Sequence, residues 1–218
     1  MWAEAEGCFE AQRQVLGAHG FALRARLEAC EGLMSAYRGG VIRLALYDLA
    51  TPGGALRATM LGALMGVDRA EVAWLFRALL PRLVAHEIGH ALRGESGLYA
   101  ADVRVEEQVA DRMATLLARP MIDASDRARA AALLGDVTAR LGGVGEAAAL
   151  HRHAETALRR LGLEAHPEAT RRARATLQDD YYRDVSAYLR VTAAWAWIDL
   201  TLDLEDDYDA FRRDHLTA

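Results

Sequence analysis

The chain has 218 residues with 26 basic and 31 acidic side chains, a formal net charge of -5 and 52% hydrophobic residues, the composition of a single core-forming domain in water. It contains no Lys and no Asn, which excludes a Lys Schiff base, a Gly-Lys-Ser/Thr phosphate loop, N-glycosylation and a Cys-His-Asn triad. The acidic balance, and the lack of any run of about 18 uncharged apolar residues, lead us to expect neither nucleic acid nor a membrane among its partners.

The first residues carry Glu4, Glu6 and Glu10 where a signal peptide would carry a basic segment and an apolar core, and Cys8 and Cys30 have no C-x-x-C neighbours. Both features fit a reducing, cytoplasmic setting. Apolar positions at Val15, Ala22, Leu23, Leu27, Cys30 and Met34 recur at helical spacing, so residues 2–34 are expected to form one helix or two, weakened in the middle by Gly17 and Gly20. After Gly39 and Gly40, residues 41–49 are the one clear β-prone run, closed by the turn residues Thr51, Pro52, Gly53 and Gly54. Any strand partner would have to be a weaker segment, such as 55–61.

Asp68 followed three residues later by Glu71 has the form of a capping box, opening a helix to Leu80. Pro81 either kinks that helix or takes the first turn of a new one reaching about Arg93. Beyond a loop at 94–99, helices are expected over 102–117, 125–141, 146–161 and from 167 to about 204, with Pro120 and the glycines at 142, 143 and 145 as breaks. The cluster Arg171 to Arg174 reads as a solvated helix face, and Glu205, Asp206 and Asp207 as a solvated acidic end.

Within the helix expected from Pro81, the segment His86-Glu87-Ile88-Gly89-His90 places two imidazoles four residues apart. At about 100° per residue they project from one face, a turn apart, and can grip one ion. Glu87 lies beside that face, placed to accept a proton from water at the ion without being a ligand itself. The next helix offers the third ligand in Glu106-Glu107-x-x-Ala110-Asp111. Glu107 and Asp111 are cofacial, so Glu107 at the metal would let Asp111 accept the N–H of a ligating His. Glu106 is the alternative, because it shares the stripe of Ala110, Met113 and Leu117 and because adjacent helical residues cannot both point at one ion.

These residues resemble the gluzincin zinc metallopeptidases, thermolysin-like in the logic of the site, over about residues 70–119. The resemblance implies Zn2+ held by His86, His90 and Glu107, Glu87 as general base and acid, and Asp111 orienting a ligand His. It also implies that a strand such as 41–49 forms the sheet edge that holds an extended peptide by main-chain hydrogen bonds. The expected architecture is therefore mainly α within an α+β frame: a single domain with a small sheet beside the metal helix, a minimal zincin-like region over 1–120 and a helical C-terminal region over 121–218 packed on it.

The expected activity is zinc-dependent hydrolysis of a peptide or protein substrate. No motif identifies the residue that would stabilise an oxyanion; Tyr99, His151, His153, Tyr181, Tyr182 and Tyr188 are the candidates. Two other readings remain. One is a metallopeptidase-like module recruited for binding or regulation. The other is a di-iron helical bundle, suggested by Glu87-x-x-His90 but lacking the second E-x-x-H that such a site uses.

Overall fold

The computed structural model describes residues 1–30, 35–98, 103–143, 200 and 207–217, and is mostly helical with one three-stranded sheet. The chain gathers into two compact units, Met1–Leu46 with Phe76–Ala128 and Asp199–Ala218 in one, Tyr47–Leu75 with Arg129–Ile198 in the other. Each unit is assembled from separate stretches of chain. Among the described residues, no helix is long and apolar enough to cross a membrane.

Helix α1 covers Trp2–Ala18 and stops well short of the 34 expected. Gly20 takes φ +73°, the Phe21 N–H bonds the Leu16 carbonyl at 2.9 Å and the Gly20 N–H bonds that of Gly17 at 3.0 Å. This pair of bonds is a Schellman ending, which needs a left-handed residue that glycine supplies without a Cβ clash. Freed from the helix, Arg26–Ala29 forms β1 instead. Strands β2 (Ala36–Arg38) and β3 (Val41–Leu44) form a hairpin around Gly39 and Gly40, both at positive φ, as a two-residue mirror-image turn requires.

Strand order is β1-β3-β2, with β1 parallel to β3 (Arg26 opposite Val41) and β2 antiparallel to it (Ala36 opposite Arg43). Two expectations fail here. The strand partners are 26–29 and 36–38 and not 55–61, and β3 is the central strand, so it offers no free edge to a peptide. Segment 55–61 lies inside helix α2 (Pro52–Met65), with Pro52 in its first turn and the Thr51 hydroxyl accepting the Gly54 N–H at 3.1 Å as N-cap. The turn residues thus open a helix.

Helix α3 (Arg69–Ala78) begins where expected, with the Asp68 carboxylate accepting the Ala70 N–H at 2.7 Å. Pro81 sits in the first turn of a separate helix α4, Leu80–Glu95, which ends in a second Schellman arrangement at Gly97, φ +68°. Helix α5 spans Val103–Ala118, a short 3-10 turn at Arg119–Met121 carries Pro120, and α6 runs Ala124–Gly143. The expected helices at 146–161 and 167–204 lie outside the described residues, Leu200 apart. Helix α7, Tyr208–His215, was not anticipated; Asp207, taken for a solvated acid, caps it by accepting the Ala210 N–H at 2.6 Å.

The first unit's core is built on α4 packed against α5, with α1 and the sheet alongside α4 and α7 alongside α5. Val84, Ile88, Ala91, Met113, Ala114, Leu117, Ile42, Leu44, Leu16 and Phe211 are all essentially inaccessible to water. Burial of this apolar stripe at helical period supplies the main driving force for the unit, about 1.5 to 3 kcal/mol for each large side chain.

Candidate metal centre

The pairing of α4 with α5 is unusually close at one point. A Cβ added to Gly89 would lie 2.7 Å from the Ala110 Cα and 3.2 Å from the Met113 Cβ, so only glycine allows the two backbones to approach this far. That contact sits between His86 and His90 on one helix and beside Glu107 and Asp111 on the other. It is what lets a short carboxylate from α5 reach imidazoles on α4.

His86, His90 and Glu107 converge. His86 Nε2 is 3.2 Å from His90 Nε2 and 3.1 Å from Glu107 Oε2, and His90 Nε2 is 3.6 Å from the same oxygen. On the far side of the ring, His86 Nδ1 lies 3.0 Å from Asp111 Oδ1. An ionised carboxylate can only accept, so Nδ1 is the donor there, and Nε2 of the neutral ring turns its lone pair toward the other two atoms. Three electron-rich atoms this close repel one another unless a proton or a cation lies among them.

The separations suit a metal ion. Ligands about 2.0 to 2.1 Å from a tetrahedral Zn2+ stand about 3.3 to 3.4 Å apart, and the three observed edges bracket that value. Two imidazoles and one carboxylate are also the donor set of hydrolytic zinc sites, which leave a fourth position open. Charge points the same way. Three carboxylates in the cluster, Glu87, Glu107 and Asp111, stand against one guanidinium, Arg82, which donates to Asp111 Oδ1 at 2.9 Å. With the histidines neutral and all three carboxylates ionised, that leaves two negative charges unbalanced, which one divalent cation would offset.

Protonation in the absence of a cation follows from the same geometry. Burial alone would lower the His86 pKa, but the hydrogen bonds its ring donates to the Asp111 and Glu107 carboxylates outweigh it and raise the value to about 10. Burial would raise Glu107, yet the two imidazoles hold it well below the usual carboxylate range. Asp111 is likewise lowered against its burial by Arg82 and His86. Glu87 goes the other way: burial dominates and raises it, with Glu107 adding to the rise and the two histidines opposing it. Its side chain is 4% exposed, and Oε2 finds no hydrogen-bond partner among the described residues. A buried carboxyl oxygen left unsatisfied is costly to maintain unless something docks on it.

Glu106 and Glu107 part company as helical geometry demands. Glu106 is buried and paired with Arg93, whose Nη2 reaches its Oε1 at 2.6 Å, whereas Glu107 faces the histidines with 24% of its side chain exposed. The structure therefore brings together all five residues singled out from the sequence: His86, Glu87, His90, Glu107 and Asp111. It adds three that the sequence reading passed over. Arg82 precedes His86 by four residues, a spacing that could have marked it as cofacial; Arg93 follows His90 by three; Gly89 lies inside the motif, and its role depends on a neighbour that no local pattern reveals.

Of the candidates for the oxyanion role, Tyr99, His151, His153, Tyr181, Tyr182 and Tyr188 lie outside the described residues, as does the Arg171 to Arg174 cluster. No family model, curated protein or solved structure matches the chain.

Proposed function

We propose that the chain is a Zn2+-dependent hydrolase acting on a peptide bond, with His86, His90 and Glu107 as the residues that hold the ion. The observation that carries this reading is the convergence of three acceptor atoms at 3.1 to 3.6 Å, with Glu87, adjacent to His86 in the chain, holding a buried carboxyl oxygen that has no hydrogen-bond partner among the described residues. Zn2+ at such a site supplies a Lewis acid that polarises a carbonyl and brings the pKa of water to about 7. Glu87 takes the proton of the attacking water on its Oε2, which has no hydrogen-bond partner among the described residues, and delivers it to the leaving amine nitrogen. Asp111, clamped by Arg82, holds the His86 ring in the tautomer that presents Nε2.

An extended substrate would pair with an outer strand of the sheet, β1 or β2, since β3 is flanked on both sides. Of the two, β2 packs against α4 and is the better placed. That neither Cys8 nor Cys30 is joined in a disulfide fits a cytoplasmic location.

Two measurements test the proposal. Elemental analysis of the purified protein should find one zinc per chain, lost in His86→Ala. A peptide-library assay should find cleavage that Glu87→Gln reduces by about 10²- to 10⁴-fold while zinc is retained. A wild-type protein that takes up no metal on dialysis against Zn2+ would refute the centre. Zinc retained without turnover of any peptide or amide would instead favour a metal-binding module with a partner-binding role, and two irons per chain would favour the di-iron reading.

A further inference from the structure

The Arg93–Glu106 pair is a substantial investment for two residues outside the ligand set, and its position explains it. We infer that Arg93 and Glu106 are positioning residues of the metal centre and that α7 is the clasp that holds them; the inference rests on the metal reading above.

Arg93 stands one turn beyond His90 in α4, and Glu106 immediately precedes Glu107 in α5. The guanidinium grips the carboxylate through Nη2 at 2.6 Å and Nε at 3.2 Å, and both side chains are nearly sealed from water, at 12% and 3% exposure. Adjacent helical residues diverge by about 100°, so fixing Glu106 on α4 decides where Glu107 points. Glu107 lies in the opening turns of α5, where a helix is prone to fray. Gly89 against Ala110 sets how near the helices come, and Arg93 with Glu106 sets the rotation of α5 that aims its carboxylate at the two imidazoles.

The same guanidinium has a third commitment. Its Nη1 donates at 2.6 Å to the carbonyl of His215, the last residue of α7, one of the carbonyls that a helix end leaves without an intrahelical partner. At the other end of α7 the Tyr208 hydroxyl donates to the Leu116 carbonyl of α5 at 3.1 Å, and Phe211 between them is completely buried. Helix α7 therefore runs back along α5 from Leu116 toward the Arg93–Glu106 pair. Its docked C-terminal end orients Arg93 for Glu106, which makes residues 207–217 part of the device that presents the third ligand.

The experiment measures Zn2+ affinity by chelator competition for the full chain, with Glu106→Gln and Arg93→Lys as test variants and Leu16→Ala as a control. Leu16 is fully buried in α1 and belongs to neither α4 nor α5, so its truncation lowers the melting temperature while leaving both residues of the pair unaltered. Both test variants keep side-chain bulk; Gln loses the charge, and Lys loses the fork that reaches Glu106 and His215 together. The expected result is Zn2+ binding weakened about ten- to a hundredfold in both, with an altered visible spectrum of the Co2+-loaded protein, and an unchanged affinity and spectrum in Leu16→Ala. Unchanged affinity in both pair variants, or an equal loss in the control, would overturn the positioning role while leaving the centre intact. A wild type that binds no Zn2+ would overturn the centre itself.

Discussion

Single side chains differ sharply in what they can tolerate at this site. Gly89 has no room for a methyl group, since its Cβ would overlap the Ala110 backbone, and helix backbones cannot swing aside as a side chain can. Gly89→Ala should therefore push α4 and α5 apart, costing about 1 to 3 kcal/mol in urea denaturation and abolishing metal uptake at ordinary concentrations. If Gly89→Ala keeps both stability and metal, the close approach is not what delivers Glu107. Arg82 offers a contrasting case. Truncation to Ala leaves Asp111 buried beside His86 without its guanidinium, so the expected effect is a stability loss of about 3 to 5 kcal/mol, read from the same denaturation curves.

At the scale of elements, glycine endings shape the first unit more than apolar periodicity does. Continuing α1 past Gly20 would satisfy the helical spacing of Leu23 and Leu27, but it would remove β1 from the sheet and leave β3 without its parallel neighbour. The sheet wins because β1 gains main-chain bonds along Arg26–Ala29 and because Gly20 takes its left-handed conformation at no steric cost. Gly20→Ala should accordingly cost about 1 to 2 kcal/mol. Its Cβ would also come within 3.3 Å of the Arg212 guanidinium, which donates to the His19 carbonyl and lies over the Phe21 ring, so the signature of this variant is loosened docking of α7. Faster amide exchange in 208–215 than in α4 would register it; uniform exchange across the unit would count against the link.

For the whole molecule, the proposed centre would set protons and metal in competition for one cluster. In the metal-free protein His86 is raised from 6.5 to about 10, so its contribution to stability is complete below pH 6.5 and is lost as pH climbs toward 10. Glu107 and Asp111 are lowered from 4.5 and 3.8, so their contributions are complete above those values and are lost as pH falls below them. Between these limits the metal-free protein should be most stable at mildly acid pH. In the proposed centre Zn2+ would need the His86 Nε2 lone pair and would have to displace that proton, so added metal should stabilise more strongly as pH rises, by about 2.7 kcal/mol wherever free Zn2+ is a hundred times its Kd. Melting curves with and without Zn2+ between pH 6 and about 8.5 should diverge; parallel curves would mean that the ion binds elsewhere.

The mainly helical character, the helix opening at Asp68 and the cofacial pairs His86/His90 and Glu107/Asp111 were legible in the amino-acid order, because each depends on residues within one or two turns, whereas the choice at Pro81 between a kink and a separate helix was not. Contacts across long separations were not. The pairing of 26–29 with 41–44, the central place of β3, the embrace of α5 by a helix some ninety residues downstream, and the choice of Glu107 over Glu106 for the histidine face were decided by packing. A residue's own neighbours set how the backbone can bend, but which surfaces then meet depends on shape and on the pairing of buried charge, as when Arg93 draws Glu106 away and leaves Glu107 to the imidazoles.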